Sequence, residues 1–215
     1  MPTKVLYWVS SDGTIVRMEA HVSPESAQRD PVFANSLSPS SVVGRNIFEF
    51  IQGREVQHLY AIFHEKVLKD RRHIVFDYRC DGPSIRREMR MSLSPEAELV
   101  RYESIVLQET PRAREIPAVS PSAEVFVPIC SICKRYRYPS GSNEWKELDL
   151  MPAEPELPSA FDFTHGLCPD CFESAMAQVR GRNACAESAG MNLREKCGEP
   201  ASIPFRDAAA TSVDD

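Results

Sequence analysis

Two cysteine pairs, Cys130 with Cys133 in CSIC and Cys168 with Cys171 in CPDC, share a two-residue gap. That gap lets one tight turn aim both sulfurs at a single ion, with backbone N–H groups free to bond the thiolates. Two such turns supply four sulfurs, which suits tetrahedral zinc. Four thiolates fill the tetrahedron and leave no open position for a catalytic water, so the expected zinc is structural. An iron–sulfur centre or a redox dithiol would use the same residues. His165, three positions before Cys168, is placed to support the turn or a cysteine sulfur by a hydrogen bond, or to replace a cysteine as ligand. Lys134, Arg135 and Arg137 can offset the net negative charge of a metal tetrathiolate.

The segment between the pairs must bring them together. KRYRY, a PSGSN turn and EWKEL read as a β-hairpin after the first pair, and FESAMAQVR reads as a helix starting at the second. Knuckle, hairpin and helix-borne knuckle form a treble-clef-like zinc arrangement, and the positive end of the helix dipole falls beside Cys171. A unit of about 55 residues needs such a staple. A structural zinc contributes on the order of 10–16 kcal/mol of binding free energy that is coupled to folding. CPDC is similar to a thioredoxin-type C-P-x-C dithiol, but no βαβ pattern surrounds it.

The first hundred or so residues carry most of the regular periodicity. KVLYWVS and TIVRMEAH read as strands joined across Asp12-Gly13. Val56, Leu59, Tyr60, Phe63 and Val67 mark one face of a helix over about 54–69. Three more strands are expected at 73–80, 85–93 and 99–110, with CDGPS as the turn between the first two. The fold class is therefore α+β: an antiparallel sheet with helices on one face, plus the small zinc unit. Residues 111–124 are proline-rich and read as a linker, 125–180 as the cysteine module, and 181–215 as a disordered tail holding Cys185 and Cys197.

This element order, with VVGRNIFEFI before the helix and a closing three-strand meander, resembles the PAS sensor fold over about 4–110. The cysteine segment resembles a module at the C-terminus of bacterial PAS-type signalling proteins, which end in a stretch like S/T-H-G-I-C-P-x-C. Thr164–Cys171 match it, with Leu167 at the isoleucine position. Together the two resemblances cover about 4–175 and imply a two-part sensor or adaptor with no specified ligand. GRNIFEFIQ is also similar to the flavin-photosensor motif G-R-N-C-R-F-L-Q, but Ile47 stands at the reactive cysteine's place. Haem is disfavoured as well, because His58 faces away from the apolar stripe and His64 sits at its edge, while His21 and His73 lie at strand ends. The ligand of the PAS-like unit is unknown.

The chain has 215 residues and a net charge of −6, which argues against a general nucleic-acid binder. KRYRY could nevertheless contact phosphates and stack on bases. The N-terminus lacks a signal-peptide core and no run is long enough to span a bilayer, so a cytoplasmic, reducing setting is expected. There, seven cysteines point to metal or free thiols rather than disulfides. No nucleophile elbow, P-loop, H-E-x-x-H or kinase signature is present. The reading is a non-enzymatic regulatory protein that acts through a protein partner or a PAS-type homodimer, with Tyr7-Trp8 a candidate dimer face. A nucleic-acid-associated regulator and a thiol-based redox or metal sensor are the alternatives. Arg86, Arg87 and Arg90 read as a solvated strand face or a docking patch.

Overall fold

Alternation of apolar and polar residues builds the sheet, and the computed structural model describes residues 1–116, 123–138, 143–151 and 161–180. Strands β1 (Lys4–Val9), β2 (Ile15–His21), β3 (Ile74–Arg79), β4 (Ile85–Glu96) and β5 (Leu99–Pro111) form one antiparallel sheet in the order β2-β1-β5-β4-β3. The β1–β2 hairpin and the β3–β4–β5 meander are zipped by β1 against β5, so β2 and β3 are the edges. Gly13 (φ +88°) makes the first turn possible; a Cβ there would lie 2.9 Å from the Asn46 side chain. Each expected strand is present, with ends shifted by a few residues.

Three short helices follow β2: α1 (Pro24–Arg29), α2 (Pro31–Ser36) and α3 (Pro39–Val42). Each begins with proline, whose missing N–H costs nothing in a first turn. Ser23 and Asp30 cap the first two. A 3₁₀ turn over Ile47–Phe50 carries a capping box between Asn46 and Glu49, and Ile47 is buried. Helix α4 (Arg54–Asp70) then lays Val56, Leu59, Phe63 and Val67 onto the sheet. Leu59, Phe63 and Val67 meet Val5, Val9, Ile15, Ile74, Phe76, Leu93 and Val100 in one core. Phe63 is the centre of it, 5.5 Å ring to ring from Phe76. On the solvent side, Glu65–Lys69 and Lys66–Asp70 form i,i+4 pairs worth a few tenths of a kcal/mol each.

His64 departs from the sequence expectation of an edge histidine: it is 4% exposed. Its Nε2 lies 3.0 Å from the Ser10 carbonyl and its Nδ1 2.9 Å from the Tyr102 hydroxyl. A carbonyl can only accept, so Nε2 carries the proton and donates to it, while Nδ1 accepts from Tyr102. Both nitrogens are thus engaged within the protein. His58 is exposed, as the stripe predicts.

The arginine cluster of β4 is a solvated face only in part: Arg86 and Arg90 stay partly exposed, and Arg87 does not. Arg87 is buried, donates to Glu109 at 2.7 Å and to Asp30 at 2.9 Å, and lies over the Phe33 ring. Arg90 pairs with Asp77 and Arg86 with Glu88. Tyr7 packs inward against the core, while Trp8, on the other sheet face, lies beneath Arg17 and donates to Glu96.

The cysteine unit comprises β6 (Val125–Cys130), β7 (Phe161–Gly166) and α5 (Pro169–Arg180). Its two strands pair in parallel, from Val125 with Phe161 to Cys130 with Gly166. Among the described residues the expected hairpin is present as one antiparallel bridge, Tyr136 with Lys146, closed by a hydrogen bond in each direction, and a second bridge joins Tyr136 to Ile129; the PSGSN turn lies largely outside the described residues. Tyr136, Leu148, Met151 and Phe161 form a second small core with Val127 and Ile129. Of the expected linker, Arg112 and Ile116 donate backbone bonds to Ser84 and Pro83, and 117–122 lie outside the described residues. So does the expected tail, 181–215. No helix among the described residues is long and apolar enough to cross a membrane.

Burial lowers the His64 pKa from its usual 6.5, against the opposing effects of the Ser10 carbonyl and Asp12. The unfolded chain therefore takes up this proton first as pH falls. The stability contributed by neutral His64 is complete above about pH 6.5 and is lost as pH drops from there towards the lowered folded value. Urea unfolding of His64→Gln and wild type from pH 7 to pH 5 is expected to give a flatter stability profile for the variant.

Candidate metal centre

Because β6 and β7 run in the same direction, both cysteine knuckles emerge at the same end of the pair. Cys130 is the last residue of β6, and Cys168 follows two residues after β7 ends at Gly166. The Ser131 N–H donates to the Gly166 carbonyl at 2.9 Å and ties one turn to the other. Within the first knuckle, Lys134 N–H donates to the Cys130 carbonyl and Cys130 N–H to the Arg135 carbonyl. Lys134 closes that loop with φ +61°, a left-handed conformation that costs a residue with a Cβ roughly 1 kcal/mol.

The second knuckle is a helix start. The Phe172 N–H donates to the Cys168 carbonyl at 2.9 Å, so Cys168 is the N-cap of α5 and Cys171 sits in its first turn. Both sulfurs therefore lie at the positive end of the helix dipole.

The four Sγ atoms lie within 4.8 Å of one another, and Cys133 and Cys168 are 3.7 Å apart. A tetrahedron with metal–sulfur bonds of about 2.3 Å has edges of about 3.8 Å. All four cysteines are free thiols, with Cys130 and Cys168 fully buried. Size and donor set both fit a metal ion such as zinc. The expected four residues are thus brought together, and His165 is not a member of the cluster. His165 sits half-buried on β7 opposite Ile129. Burial, helped by Lys134, lowers its pKa.

Arg135 is the charge partner. Its Nε donates to Cys133 Sγ at 3.3 Å and its Nη2 to Cys168 Sγ at 3.1 Å, while Asp170 holds the same Nη2 at 2.8 Å. Burial opposes its charge, but the hydrogen bonds to Cys133 and Asp170 and the nearby thiolates outweigh it and raise the guanidinium pKa. Hydrogen bonds from Cys130, Cys168 and Cys171, with Arg135 behind them, hold Cys133 far below the usual thiol range. Cys130 and Cys171, which supply protons to that network, are pushed up. Of the other basic candidates, Arg137 is engaged with Asn143 and lies over Trp145, and Tyr136 is buried. Within KRYRY, Tyr136 and the partly buried Tyr138 thus face the small second core.

Sequence reasoning missed how the cluster is seated on the sheet. Gly53, the N-cap of α4 with φ +87°, lies so near β7 that a Cβ there would be 2.3 Å from the His165 carbonyl oxygen. Arg72 donates to the Val179 carbonyl at 2.8 Å near the end of α5. The Arg79 N–H, on the outer edge of β3, donates to Ile132 inside the first knuckle at 2.8 Å. Gly53 before a helix and an arginine alternating with Phe76 and Tyr78 were the only local hints.

No family model matches the chain, and no curated protein does. Solved structures do match. One is a domain of an HTR-like protein from Haloarcula marismortui ATCC 43049, 12% identical, covering 49% of this chain and 98% of that one at a TM-score of 0.29. Another is the photoactive yellow protein domain from the sensor histidine kinase Ppr of Rhodospirillum centenum. It is 20% identical and covers 50% of this chain and 92% of that one, at a TM-score of 0.32.

Serine is a preferred N-cap, so Cys168→Ser keeps the start of α5 and removes one sulfur. Zinc titration followed by metal analysis is expected to show that this variant retains well under one equivalent after gel filtration. Thermal unfolding is expected at a lower temperature than for the zinc-loaded wild type.

Proposed function

We propose that this is a non-enzymatic regulatory protein in which a PAS-like sensory or docking domain is coupled to a zinc-stabilised cysteine module. The observation that carries the reading is the convergence of four thiols from two knuckles onto one metal-sized site. The five-stranded antiparallel sheet with α4 packed on it agrees with the fold that the PAS resemblance implies. Cys130, Cys133, Cys168 and Cys171 would hold the metal. Zinc bound by four thiolates supplies a cross-link and no open coordination position, so its contribution is to folding.

The residues around the cluster serve that cross-link. Arg135 offsets part of the anionic charge, α5 directs its N-terminal dipole at two sulfurs, and Lys134 shapes the first turn. The protein signals by contact with a protein partner or with a second copy of itself, in a cytoplasmic setting. His165 stays with the module as part of β7, its backbone meeting α4.

Native mass spectrometry of the purified chain with metal analysis tests this reading. One zinc per chain and no organic chromophore is the expected result. A haem or flavin mass would replace the account of the first domain, and a metal-free folded chain would remove the cross-link.

A further inference from the structure

Arg79 is the last residue of β3 and its side chain is fully buried. In that position it alternates with Phe76 and Tyr78, which face the aromatic core beneath α4. Edge strands normally leave alternate N–H groups unpaired. Here the Arg79 N–H is taken at 2.8 Å by the carbonyl of Ile132, one of the two residues between Cys130 and Cys133. Its Nη1 reaches the next carbonyl, that of Cys133, at 3.3 Å, and Glu147 at 3.1 Å. Asp81 pairs with the other end of the guanidinium, and Arg112 pairs with both Asp81 and Asp149. One residue of the sensory sheet therefore binds two consecutive carbonyls of a cysteine knuckle.

We infer that Arg79 is a positioning residue for the metal centre, and that through it the β3 edge and metal occupancy are thermodynamically coupled. This rests on the zinc reading above. The physical argument is one of geometry and cost. A knuckle can aim two sulfurs only if its backbone is fixed, and the Ile132 and Cys133 carbonyls are both held by Arg79 of β3. A buried guanidinium is costly unless its donors are satisfied, so Arg79 and the knuckle carbonyls hold one another in place. Coupling of this kind is reciprocal: whatever Arg79 does for metal retention, metal does for the order of the β3 edge.

Two measurements on the full-length chain test it. The first is the rate of zinc transfer to a chromogenic chelator for wild type, Arg79→Lys and Arg87→Lys. Lysine keeps the charge and the backbone N–H but lacks the planar fork that reaches the Cys133 carbonyl and Glu147 from one end and Asp81 from the other. Arg79→Lys is expected to release zinc about tenfold faster or more. Arg87→Lys removes an equally buried arginine whose partners are Glu109, Asp30 and the Cys80 carbonyl, so it reports general loosening and is expected to release at the wild-type rate. Equal rates for Arg79→Lys and wild type, or equal acceleration in both variants, overturn the inference while leaving zinc binding intact. Failure of the wild type to bind zinc overturns the metal reading and this inference with it.

The second needs no variant and so survives a failure of Arg79→Lys to fold. Amide hydrogen exchange is compared in the zinc-loaded and chelator-treated wild type. The Arg79 amide is expected to exchange about 5- to 150-fold faster without zinc, with the amides of the central strand β5 unchanged. No change at Arg79, or the same change throughout β5, overturns the coupling.

Discussion

Parallel pairing of β6 with β7 is the constraint on which the cysteine centre depends. Four sulfurs must meet within one tetrahedron, and they come from positions 38 residues apart along the chain at the first members of each pair (roughly, by the loop-closure argument, a substantial entropy cost). Six residue pairs in register from Val125–Phe161 to Cys130–Gly166 place the two turns side by side. Arg135 and the N-terminus of α5 then meet the resulting negative charge. An antiparallel pair would have placed the knuckles at opposite ends.

Segments docked onto the sheet also bury arginines. Arg79, Arg87 and Arg112 are nearly inaccessible at their side chains, which no hydrophobic argument favours. Each is matched by acidic groups from distant segments, such as Asp30 and Glu109 for Arg87 and Glu147 and Asp149 around Arg79. Removing one partner of such a set is costly, whereas keeping the set contributes little net stability but constrains geometry. The charges work as alignment pins: the Arg87 set holds α2 to the sheet, and the Arg79 set holds the cysteine module to its edge.

The sheet strands and α4 were legible in the sequence because their burial is written locally. Leu59, Phe63 and Val67 repeat at helical spacing, and Asp12-Gly13 marks the first turn. The four-cysteine set was legible for the same reason, since spacing within each pair is a local property. His64 was not, because one turn of helix places it near the stripe and only Tyr102 and Ser10, far along the chain, draw it inside. Nor was the parallel strand pair. VFVPIC and FDFTHG are short and lack alternation strong enough to specify a partner. The expected hairpin between the cysteine pairs is seen among the described residues as the antiparallel bridge of Tyr136 with Lys146.

Gly53 sets how the two parts meet. Most interfaces tolerate drift because long side chains can rotate to refill a gap or relieve a clash. Where α4 begins, the approach is backbone to backbone, with the His165 carbonyl occupying the space a side chain would need. The contact works like a notch: it selects one angle between helix and strand by the absence of a side chain. A shift of β7 is passed directly to the first turn of α4, because no side chain lies between them to absorb it.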